Sequence, residues 1–163
     1  MEQREFIGTY LLMLNESLQK KLIIMQQILE LTKQQDSCFQ EEQEVVETME
    51  HYVLEKEPLI QQLSKLDEGF DLVYAKIKTY VLDNTKEYSA EIKKLQESIL
   101  EVTSLSVKIQ TLEQGIKRKF ELYLTSKKKE IKQFKINNQT ATNYYKNMTG
   151  QPQGESYFID KKK

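Results

Sequence analysis

The residues that could do chemistry are few and badly placed for it. His51 is the only histidine and Cys38 the only cysteine. His51 has Glu47 and Glu55 at i±4, but no second His and no Cys to complete a zinc set, so it reads as a solvated helix histidine flanked by carboxylates. Cys38 falls at an expected helix start, where the dipole can lower a thiol pKa. No base accompanies it, and a small helix-end filler is the simpler role. There is no Gly-rich phosphate loop. Gly69 and Gly115 stand alone inside helical patterns, where they allow close helix approach or a slight bend. Carboxylate pairs such as Glu87/Glu91 and Glu97/Glu101 are ordinary on a charged helix. The chain is therefore expected to be non-enzymatic, with no catalytic residue, metal ligand or cofactor.

The strongest charge signal is basic. Lys117, Arg118, Lys119, Lys127, Lys128, Lys129, Lys132 and Lys135 interleave with Phe120, Tyr123 and Phe134, a pattern compatible with nucleic acid. The chain as a whole carries a net charge of −1. Its polarity matters more: residues 1–60 sum to −7, 61–114 to −2, 115–136 to +6 and 137–163 to +2. The basic stretch reads first as an electrostatic match to Glu41, Glu42, Glu44 and Glu47. Another protein's acidic surface, nucleic acid and lipid are the alternatives.

The elements that must position these residues are long helices. The sequence has 163 residues, one domain's worth, with 30% charged and 39% hydrophobic residues. Gly and Pro are too scarce for the turns of a strand-based fold, and a chain this polar buries a narrow seam rather than a wide core. The apolar stripe Leu11, Leu14, Leu18, Leu22, Met25, Leu29 steps by three and four, widened by Phe6, Tyr10, Ile24 and Ile28. Gln34–Ser37 breaks it, and Ser37 with Gln40 has capping-box spacing. A second stripe runs Val45, Met49, Tyr52, Leu59, Leu63, Leu66, Phe70, Val73, Ile77, Val81, with a kink or break expected near Lys56 because of Pro58. After Asp83–Thr85, with Asn84 as N-cap, a third stripe runs from Tyr88 through Ile92, Leu95, Ile99, Val102, Leu105, Ile109, Leu112 and Ile116 to Phe120 and Tyr123. The expected fold is all-α: an elongated antiparallel hairpin or bundle of three long helices, about 3–34, 38–82 and 85–135, forming one domain over 1–136. Residues 137–163 are expected to be a flexible tail, short and helical or disordered.

Short connections make neighbouring helices antiparallel. Facing positions should then total about 73 around the first turn and about 168 around the second. On that register helix one ends near position 70, leaving the far half of the second and third helices uncovered. Val73, Tyr74, Ile77, Ile92 and Leu95 fall there, and Ile99 and Val102 continue the groove. An exposed apolar trough of this kind implies a partner helix. The tail aromatics Tyr144, Tyr145, Tyr157 and Phe158, with Met148, form a second candidate contact. The absence of disulfide pairs, of a readable signal peptide and of any run near the ~18 apolar residues of a membrane span fits a cytoplasmic chain.

Several segments resemble the FlgN-type flagellar export chaperones in their Firmicutes-like form. They are Glu55-Lys56-Glu57, Leu59-Ile60, Leu66-Asp67-Glu68-Gly69-Phe70, Leu105-Ser106-Val107-Lys108-Ile109-Gln110, Asn143-Tyr144-Tyr145-Lys146-Asn147-Met148 and Phe158-Ile159-Asp160-Lys161-Lys162. Pro58 departs from the family pattern. The resemblance implies a long helical hairpin or bundle in the bacterial cytoplasm. It further implies binding of hook–filament junction proteins before type III export, preventing their premature assembly, and contact with the export apparatus. The groove is then the expected site for the substrate helix. The alternative from the heptads themselves is a self-associating coiled-coil scaffold. A weak homodimer suits either reading; no membrane span or nucleic-acid partner is expected.

Overall fold

The structure, a computed structural model, describes residues 2–40 and 44–127. Three helices fill this span: α1 (Glu2–Ser37), α2 (Val45–Asp83) and α3 (Ser89–Lys127), with a 3-10 turn at Cys38–Gln40 after α1. They form an antiparallel bundle in which α1 packs along both α2 and α3. Its main core joins Leu11, Leu14, Leu18, Met25 and Ile28 to Ile60, Leu63, Phe70 and Ile77, and to Leu95, Ile99, Val102 and Ile109. A smaller cluster, Val45, Met49, Ile116 and Phe120, closes the end beside the 3-10 turn, with Phe39 and Tyr123 packed on it.

Three boundaries differ from the sequence expectation, each for a physical reason. Helix α1 does not stop at Gln34. Gln35 occupies a seam position and is fully buried. There its side chain accepts from Lys56 Nζ at 2.6 Å and donates to the Met49 carbonyl at 3.4 Å. A polar residue that finds internal partners continues a helix rather than ending it. Ser37 opens no helix; its hydroxyl donates to the Gln34 carbonyl at 2.7 Å, within the last turn of α1. Glu44 precedes α2 in a left-handed conformation, φ 59°, without a side-chain cap. Asn84 closes α2 instead of opening α3: its backbone N–H donates to Val81 at 3.3 Å and its amide to the Tyr80 carbonyl at 3.0 Å.

Helix α2 also runs unbroken through Pro58. Pro58 and the residue four before it, Leu54, are both exposed, so water can reach the carbonyl that the proline leaves without a donor. The expected helical continuation over 128–135 and the tail 137–163 lie outside the described residues.

The longer first connection changes the register. Tyr10 faces Lys76, Lys21 faces Asp67 and Gln35 faces Lys56, pairs whose numbers total 86, 88 and 91 rather than 73. About fifteen positions at 1.5 Å each move α1 roughly 22 Å along its neighbours. The second turn follows the sequence arithmetic: Lys56 pairs with Glu113, a total of 169. Helix α1 therefore covers the hairpin to its end, where Ile7, Val81 and Tyr88 are buried together in one core.

Candidate functional site

The expected trough between α2 and α3 is closed. Tyr74, Ile77, Leu95, Ile99 and Val102 are all buried, none more than 9% exposed. Val73 and Ile92 are partly buried against the same core. Helix α1 occupies the position assigned to a substrate helix, and these seven residues hold the bundle together. The tail candidates Tyr144, Tyr145, Met148, Tyr157 and Phe158 lie outside the described residues.

Two buried lysines were missed by the sequence reading. Lys21 sits at the seam step between Leu18 and Met25, beside Leu22, which is partly buried against the same core. Its Nζ donates to Asp67 at 2.7 Å. Lys56 is 1% exposed and reaches all three helices. Its ammonium donates to Gln35 at 2.6 Å, to Glu113, and to the Thr32 hydroxyl at 3.5 Å. Thr32 in turn donates to the Ile28 carbonyl at 2.6 Å. The available signal was the uninterrupted 3/4 step through charged residues, which a purely apolar stripe skips.

The residues of potential chemistry are ordinary in place. His51 Nε2 is 2.8 Å from Glu55 Oε1 on an exposed helix face. Burial raises the Cys38 thiol above its usual pKa; Asp36 adds to this and Lys119 opposes it. The thiol is thus less ionised than an ordinary one, the reverse of an activated nucleophile. Among the described residues no His, Cys, Asp and Glu side chains gather in a group able to hold a metal ion. From the basic stretch, Lys119 pairs with Asp36 in the last turn of α1 at 2.8 Å. Glu41 and Glu42 are outside the described residues. No described helix is long and apolar enough to cross a membrane.

A different face has the makings of a site. It is the outer groove between α1 and α2, on the side away from α3. Phe6 packs edge-on against Tyr10 at 4.6 Å, and Lys76 Nζ lies 5.7 Å from the Tyr10 ring centre. Tyr10 with Lys76 is one crossing of this face and Lys21 with Asp67 another, their totals moving from 86 to 88 along it. Phe6, Met13, Ile23, Leu72 and Tyr80 are 42–68% exposed. At Gly69, which is exposed, an added Cβ would meet open space.

Polar groups tie every pair of helices, Lys21 to Asp67 and Lys56 to Gln35 crossing between α1 and α2. Gln19 donates to Ser98 at 3.1 Å and Lys119 to Asp36 across α1 and α3, while Lys56 joins Glu113 across α2 and α3. No protein-family model, curated protein or solved structure matches the chain.

Proposed function

We propose that this chain is a flagellar export chaperone that holds hook–filament junction proteins in the cytoplasm and hands them to the type III export apparatus. The observation that carries the reading is that Phe6, Met13 and Ile23 on α1 and Leu72 and Tyr80 on α2 stand exposed although the core between these helices is filled. Large apolar side chains left exposed on two packed helices suit a protein contact surface. The helical resemblance supplies the class of partner. Its segments coincide with the bundle's internal ties: Lys56 holds Glu113 and Gln35, Asp67 holds Lys21, and Phe70 and Ile60 lie in the core. Those segments therefore preserve a scaffold, and the scaffold presents the face.

Masking suits this arrangement. Junction proteins with coiled-coil ends would self-assemble early if left bare, and a second heptad surface competes for the same stripe reversibly. The test is co-expression of the tagged chain with the junction proteins of a flagellated Firmicute. A one-to-one complex, together with loss of motility on deleting the gene, is the expected result. A stable homo-oligomer that captures no junction protein would instead make the chain a self-associating scaffold.

A further inference from the structure

The apolar core of the bundle is interrupted. Its buried side chains fall into the main cluster and the smaller one of Val45, Met49, Ile116 and Phe120. Between the two, every helix places a polar side chain at one level. On α1, Thr32 and Gln35 follow Leu29, the last α1 residue of the main cluster. On α2, Lys56 lies between Met49 and Ile60, and on α3, Glu113 lies between Ile109 and Ile116. The Lys56 ammonium joins the level, donating to Thr32, Gln35 and Glu113. We propose that the last part of α3, residues 116–127, leaves α1 and α2 as a unit, parting at the Lys56 level while the main core stays folded. The inference goes beyond the chaperone reading and does not depend on it.

Chemistry sets the place of the break. An apolar layer resists parting because the half left behind is bared to water. A charged layer resists less, since Lys56 and Glu113 regain hydration once uncovered. Size sets which side opens. Among the described residues, four buried side chains hold the end cluster and eighteen the main core, so the end gives up far less buried area. Connectivity sets which helix leaves. Helices α1 and α2 follow one another at this end, whereas α3 is joined to α2 only at the other. Beyond the end cluster, the α1–α3 tie there is Lys119 with Asp36, an exposed pair that holds weakly. Departure of residues 116–127 uncovers Met49 on α2 together with Ile116 and Phe120 on α3.

The experiment uses the full chain with Cys38→Ser and one new thiol, from Ile116→Cys or Val102→Cys, at positions 2% and 1% exposed. Labelling by a disulfide reagent, with reclosing faster than reaction and each rate normalised to the unfolded chain, reads the open fraction at each site. Without urea, position 116 should label at least about a hundredfold faster than position 102. Its rate should also rise less steeply with urea, because less surface is bared. Ile77→Val, in the main core, should speed labelling at 102 about three- to tenfold and leave 116 unchanged. Glu113→Ala should speed labelling at 116 about thirtyfold or more. Should a new thiol prevent folding, amide hydrogen exchange of the wild type takes its place. Residues 116–124 should then show a shallower urea dependence than residues 95–109, since a helix freed of its packing is marginal. Equal rates and slopes in the two regions, acceleration of both sites by Ile77→Val, or no response of position 116 to Glu113→Ala overturns the proposal.

Discussion

Removing Glu113 should cost about as much as removing a core side chain, although Glu113 itself is partly exposed. Lys56 Nζ has three N–H donors, and Gln35, Glu113 and Thr32 accept one each. Glu113→Ala deletes the only carboxylate among the three and leaves an ammonium in a dry seam with two neutral acceptors. Stripping one partner from a buried ion pair typically costs about 3–5 kcal/mol. The Glu113 side chain is 18% exposed, so water enters where it leaves, and we expect about 2–3 kcal/mol. For a chain of this size that is a fall of roughly 5–10 °C in Tm. Lys56→Met in the Glu113→Ala background removes the stranded charge and should recover about half of the loss, what remains being Gln35 with an unfilled buried acceptor. Urea unfolding of the wild type, both single variants and the double variant gives the coupling directly, provided the m-value is constant. Additive effects, or a Glu113→Ala cost below about 0.5 kcal/mol, would refute the claim that Lys56 is a buried charge held by Glu113.

Other outcomes follow from the same packing. Ile99→Ala should cost about 2–5 kcal/mol in chemical denaturation, as for any fully buried aliphatic residue. A loss below about 1 kcal/mol would reopen the trough between α2 and α3. Pro58→Ala should raise stability by about 1–3 kcal/mol, because it restores a helix hydrogen bond inside an unbroken helix; a lower Tm would place a real break there. Gly69→Ala should add about 1 kcal/mol by helix propensity alone, since its Cβ meets open space. Cys38 should react with iodoacetamide more slowly than a free thiol at neutral pH. Its folded-state pKa lies above the ordinary 9.0, so its contribution to stability is present below that pH and lost as pH rises through the raised value. Cys38→Ser should flatten that alkaline loss.

The stripes of the helices were legible because apolar residues at steps of three and four can bury only one face. Leu95, Ile99, Val102, Ile109, Ile116 and Phe120 all lie where the period puts them. The second turn and its register were also legible, since Asp83–Thr85 lies beside it. The first turn was not. Gln34–Ser37 looks like a break only if seam positions must be apolar, and Gln35, Thr32, Lys21 and Lys56 break that assumption by satisfying one another across helices. One displaced turn then put an open trough between α2 and α3, where α1 in fact covers Tyr74, Ile77, Leu95 and Ile99. The true face left a trace in the sequence. Phe6, Tyr10 and Ile24 widen the first stripe beyond what one seam needs, and Leu59 and Val73, partly buried at the core's edge, do the same on α2. Each row alone looks like core; the pairing that exposes their outer edge depends on the register.

The place of α1 between its two neighbours also orders events during synthesis. Residues of α1 meet partners on α3 about 80 positions later, as Gln19 meets Ser98. At about 5–20 residues per second, the ribosome needs roughly 4–16 s to make the 79 residues that separate them. Throughout that interval the helix emerging first has only a partial shelter, and its apolar side is open to whatever the nascent chain encounters. A synonymous slow codon between Gln19 and Ser98 would lengthen this window, whereas one before Gln19 would not.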